Sequence, residues 1–139
     1  VVALLLVSLA DGGTEATIKA AVAAVAPSVV RIETSGGRGS AGVGRQAVRK
    51  GDAPTTGLVV AADGYVITSS FNFADRPSDV FVTVPGRDRQ VATVVASDLT
   101  RSLTLLKIDA ADLPVPPAVP LSEVRVGAWA AAVGRALDP

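Results

Sequence analysis

Histidine and cysteine, the side chains that most often move protons or hold metals near neutral pH, are both absent from the 139 residues. Thiolate chemistry, disulfides and the usual zinc and copper ligand sets are excluded with them. Serine, lysine and carboxylate chemistry remains. A serine attacks an acyl carbon only when a neighbour takes its proton, and the candidate Ser-Lys pair is Ser102 with Lys107. Five residues apart on a predicted strand, those side chains leave opposite faces. Lys19 falls in a helical stretch and Lys50 in a loop, so either would need a fold-back to reach Ser102. Asp75 and Asp98 are candidate displaced carboxylates; on the other reading Asp75 ends a turn and Asp98 ends a strand.

Phosphate binding is the next chemistry to weigh. Gly37, Gly39 and Gly42 have G-x-G-x-x-G spacing after a strand, but a dinucleotide site needs the third glycine to open a helix. The residues that follow are basic and lack apolar periodicity. Gly44 is followed by Arg45 and Gln46, which also excludes a phosphate-binding P-loop. The stretch 35–56, with Arg38, Arg45, Arg49 and Lys50, reads as a long mobile loop, its charges either solvated or turned to an acidic partner.

The elements around these residues follow from pattern. Ile18, Ala21, Val22 and Val25 make a helical stripe over Thr14 to Ala26, with Thr14 as N-cap and Pro27 as stop. Strands are predicted around Val29 to Ile32, at Leu58 to Ala61, Tyr65 to Thr68, Asp79 to Val84, Gln90 to Ser97 and Leu103 to Ile108, and at Ala128 to Val133. "ADG" and "PGRDR" are the hairpin turns, the first needing Gly64 at positive φ. About seven short strands and one helix argue for an all-β antiparallel barrel or sandwich. With 49% hydrophobic but 4% aromatic residues, the core must be aliphatic. Leu103, Leu105, Ile108 and Trp129 read as core, and Tyr65 as packing.

Lys plus Arg and Asp plus Glu are each 13, leaving no net charge, so nothing draws the chain as a whole to nucleic acid or anionic lipid. Residues 1–10, VVALLLVSLA, end in the small-x-small pattern Ser8, Leu9, Ala10. They read as part of an export signal, with a buried strand or helix as the alternative, and are too short to span a bilayer. The last residues, GRALDP, read as a cut end, leaving a strand without terminating structure.

Three blocks carry a resemblance: "TTGLVVAADGYVITSS" (Thr55 to Ser70), "VVASDLTRSLTLLKID" (Val94 to Asp109) and "LPVPPAVPLSEVRVGAWAAAVGRA" (Leu113 to Ala136). In order and separation they resemble the first barrel of the HtrA, or DegP-like, serine proteases. With the helix and "APSVVRIE" the likeness covers 14–137. The resemblance implies a trypsin-like first β-barrel, an exported protein, no cofactor, and a second barrel or a polypeptide as partner. Active members follow the equivalent of Tyr65 to Thr68 with Thr-Asn-x-His-Val-Val. This chain has Thr68, Ser69, Ser70, Phe71, Asn72, Phe73, so Phe71 falls where the general base belongs. A register shifted by one offers Asn72, whose amide takes no proton near neutrality. Ser102 stands where the family keeps the aspartate that orients the histidine. The family's serine lies in the second barrel, beyond Pro139.

Loss of the base costs a serine protease on the order of a million-fold in turnover, roughly 8 kcal/mol of barrier. The implied domain is a degenerate protease, with Phe71 and Phe73 as inter-barrel filler or as a partner-binding surface. The alternatives are a serine endopeptidase fragment whose activity comes from elsewhere, and a purely structural domain of a larger exported protein.

Overall fold

The computed structural model describes residues 13–36, 54–74 and 76–135, together with the backbone of Leu5 and Leu6. Residues 37–53, Asp75, 136–139 and most of 1–12 lie outside the described residues, and with them the expected mobile loop, the Gly-rich motif, Lys50 and the signal-like reading. Among the described residues, strands run β1 Leu5–Leu6, β2 Val29–Ser35, β3 Thr55–Ala61, β4 Tyr65–Ser69, β5 Asp79–Thr83, β6 Gln90–Asp98, β7 Leu103–Ile108 and β8 Ala130–Ala131, and one α-helix, α1, spans Thr14–Val25. β2 to β7 form a closed antiparallel barrel in the order β2-β3-β4-β7-β6-β5. β1 and β8 make a separate two-stranded ribbon.

The barrel closes around β-branched side chains, which suit a pleated surface. Val30, Ile32, Val59, Val66, Val82, Leu106 and Ile108 are at most 1% exposed, each contributing about 1.5–3 kcal/mol by leaving water. Two barrel residues in this interior are polar, Thr68 and Thr104, and both are satisfied. Thr68 Oγ1 donates to the Thr56 carbonyl at 2.9 Å, and Thr104 Oγ1 lies 3.3 Å from Ser97 Oγ.

The β3-β4 hairpin turns at Ala62 to Gly64 as predicted, with Gly64 at φ +106. Space adds a second demand for glycine there. The end of β7 crosses this turn, Ile108 N donating to the Gly64 carbonyl at 3.0 Å, and a Cβ on Gly64 would collide with the Ile108 carbonyl.

Several expectations are corrected. Thr14 does not cap the helix: Gly13 is the N-cap, without a side-chain hydrogen bond, and Thr14 is the first helical residue. Pro27 does not stop it either, since α1 ends at Val25 and a 3-10 turn, Ala26–Ser28, carries the proline at its start. Ala21 and Val25 are buried, whereas Ile18 at the far end of the stripe is 42% exposed. On β7 the inward face is Thr104, Leu106 and Ile108, so Leu103 and Leu105 are half-buried rather than core. Lys107 shares their face, and a charge directs its parity outward. Trp129 is 63% exposed, because Ala128 to Val133 is no barrel strand; only Ala130–Ala131 pairs, and with Leu5–Leu6.

Candidate functional site

The segment after β4 is shaped by short-range hydrogen bonds. Ser69 ends the strand with extended backbone, and its Oγ accepts from Phe71 N at 3.3 Å, capping a 3-10 turn over Ser70–Phe73. A serine in that place serves a helix start as an N-cap does. The Phe73 carbonyl accepts from Arg76 N at 3.1 Å and closes the next turn. Arg76 then holds φ +50, an uncommon conformation for a residue with a Cβ.

The facing turn joins β6 to β7. The Asp98 carboxylate accepts from Arg101 N at 3.0 Å and from the Arg101 guanidinium at 2.7 Å. Those Arg101 bonds hold its carboxyl below the usual carboxylate range, against a small opposing effect of burial. The turn ends on Ser102 at φ +56. Its carbonyl accepts from Ser70 N at 3.0 Å, tying the two turns together.

Between the turns lies a groove of about 840 Å³ whose apolar lining is Phe71, Phe73, Pro77, Val94 and Leu99. Ser69, Ser70, Ser97 and Ser102 add hydroxyls, and Arg76 is the one charged residue among the described lining residues. The two rings differ: Phe71 is 59% exposed, whereas Phe73 is half-buried and packs on the barrel core. Phe71 and Ser102, which the resemblance aligns with the family's histidine and aspartate positions, border one groove together with Phe73. Asn72 is half-buried in the same turn.

The other candidates are elsewhere. Lys107 Nζ donates to the carbonyls of Asp63 and Ile108, at 2.6 and 2.8 Å, near the opposite hairpin. It does not meet Ser102. Lys19 pairs with Glu15 at 2.6 Å on the exposed face of α1. Asp98 ends β6 and caps its turn, as the plainer reading had it. Among the described lining residues the groove offers hydroxyls, rings and a guanidinium, and no carboxylate or imidazole. That set can bind apolar surface and donate hydrogen bonds; it cannot take a proton from a serine near neutrality.

Sequence reasoning missed Arg76 and the β6 wall. One signal was present: past Ala92, β6 has apolar residues on successive positions, Val94 and Val95, which breaks the period of two. The register there shifts between Val94 and Ala96, as at a β-bulge.

A six-stranded antiparallel barrel with two such turns meeting at one end is a trypsin-like barrel. The family model "Trypsin-like peptidase domain" matches residues 55–139, and the chain belongs to that family, as an HtrA/DegP-like domain. Similar curated proteins are probable periplasmic serine endoproteases, DegP-like, of Hahella chejuensis and Pseudomonas fulva. The first is 32% identical over 90 residues, 65% of this chain and 19% of the relative. The second is 30% identical over 97 residues, 70% of this chain and 20% of the relative. The chain therefore spans about a fifth of the relatives' length. A solved HtrA-type protease with a tripeptide aligns at TM-score 0.60 and 20% identity, over 80% of this chain and 36% of the other, a likeness of fold. No helix among the described residues is long and apolar enough to cross a membrane.

Proposed function

We propose that this exported HtrA-like domain binds polypeptide at the Phe71 groove and does not cut it. The observation that carries the reading is the pairing of Phe71 and Ser102 around one groove. These are the positions that the family resemblance assigns to the general base and to the group that orients it. A phenyl ring accepts no proton, and a serine hydroxyl orients no imidazole that is absent. What the exchange adds is apolar area: with Phe71 mostly exposed, the groove offers a surface for an apolar segment of a partner. A role in envelope protein quality control, holding unfolded chains rather than degrading them, fits the periplasmic naming of the relatives.

The relatives are named endoproteases, which favours the competing reading, proteolysis with a base supplied from outside this chain. Treating the full chain with a fluorophosphonate probe, alongside reduced carboxymethylated α-lactalbumin as unfolded substrate, separates the two. The expected result is labelling and hydrolysis at the buffer rate, with α-lactalbumin retained by the protein. Saturable labelling of a serine, or cleavage that the probe blocks, overturns the proposal.

A further inference from the structure

The barrel closes unevenly. β5 and β6 are paired at Phe81 with Val91 and at Val82 with Gln90, whereas β6 continues beside β7 from Ala92 to Asp98. From Thr93 onward β6 therefore has a strand on one side and, among the described residues, none on the other. β5 stays paired with β2 as far back as Asp79, and Ser78 N extends that pairing by donating to the Ser35 carbonyl at 2.9 Å. The Phe71 groove occupies this parting, with Phe71, Phe73, Arg76 and Pro77 on one wall and Val94, Ser97 and Leu99 on the other.

An open strand edge presents alternating N–H and C=O groups, and an extended polypeptide is the partner that matches that spacing. Edges that must stay solitary are guarded by charges or proline; β6 has neither between Gln90 and Ser97. Its apolar side chains are open instead, Val94 at 45% and Val95 at 50% exposed, as is Leu99 just past its end at 81%. Charge then narrows the partner. Arg76 is the only charged group among the described lining residues, and it makes no ion pair with another described residue, so it complements an anion on whatever enters.

We propose that the β6 edge is a strand-addition site for an extended peptide segment with alternating apolar side chains and a carboxylate that pairs with Arg76. This rests on the binding reading above and names what is bound: main-chain groups meet β6, apolar side chains meet Phe71, Val94 and Leu99, and the acid meets Arg76. Such a peptide lies along the first barrel's own edge.

The test uses the full chain and two fluorescein-labelled, C-terminally amidated peptides, Thr-Val-Thr-Val-Thr-Glu and its glutamine counterpart. Anisotropy titration at low salt is expected to show the glutamate peptide binding about three- to fivefold tighter, the upper part of the range of an exposed ion pair. Arg76→Gln, or high salt, should abolish that difference. In hydrogen exchange, saturating glutamate peptide should slow the amides of Thr93 to Asp98 that do not bond β7. Binding without that protection, or equal affinity for the two peptides, overturns the proposal. Failure of both peptides while carboxymethylated α-lactalbumin is still held overturns strand addition and leaves the proposed function standing. If neither peptides nor α-lactalbumin bind, the binding reading itself falls.

Discussion

Truncating each phenylalanine of the groove tests whether Phe71 seals the fold, as Phe73 does, or serves a partner, as proposed. Phe71 is 59% exposed, so about two fifths of the roughly 3 kcal/mol for a fully buried phenylalanine is realised, and Phe71→Ala should cost about 1 kcal/mol. Phe73 is half-buried against the core cluster, and its loss adds a cavity to the lost burial, about 2–3 kcal/mol. The two variants should thus differ by about 1–2 kcal/mol in stability while both weaken capture of carboxymethylated α-lactalbumin. Stability is read by urea unfolding followed with far-ultraviolet circular dichroism. The single tryptophan is a poor reporter, since Trp129 is exposed and outside the barrel. If Phe71→Ala costs as much as Phe73→Ala, the ring is filler; if it leaves capture unchanged, the groove is not the binding surface.

Gly64→Ala combines a left-handed backbone with a clash against the Ile108 carbonyl and should cost at least about 2 kcal/mol by the same unfolding measurement. Ser102→Gly should raise stability by about 0.5–1 kcal/mol, because the residue already sits at φ +56 where glycine carries no Cβ penalty; a loss would show that the hydroxyl matters more than the strain. Asp98 has its folded-state pKa depressed by Arg101, so its contribution is present above the unfolded value of about 3.9 and is lost as pH falls through the folded one. Asp98→Asn should accordingly be less stable than the parent at neutral pH, and the difference should shrink in acid rather than grow.

Much of the barrel was legible because the determinants are local. Gly64 between two apolar runs fixes a hairpin, and the Val and Ile content of β2, β4 and β5 fixes strands. β7 shows where periodicity runs out. In Leu-Thr-Leu-Leu-Lys-Ile both parities carry apolar residues, and counting leucines chose the wrong one. Lys107 was the better guide, since its ammonium must reach polar partners, and it finds them in the carbonyls of Asp63 and Ile108. Trp129 failed for a different reason: an apolar side chain is core only if its segment joins the barrel, and that pairing is a property of the whole topology.

The groove was half legible. Phe71 and Ser102 came from family resemblance, and no local rule brings residues 31 positions apart together. The bond from Ser70 N to the Ser102 carbonyl does that, and it exists because β4 and β7 are neighbours in register, Ser69 facing Leu103. The opposite wall depends on where β5 parts from β6, after Phe81 and Val91, a property of strand pairing rather than of local sequence. The absence of histidine could be read along the chain, but the set of residues that lines the groove required strands to be paired first. On the proposed reading the groove's chemistry is that of an edge: main-chain groups, apolar side chains, hydroxyls and, among the described lining residues, one guanidinium.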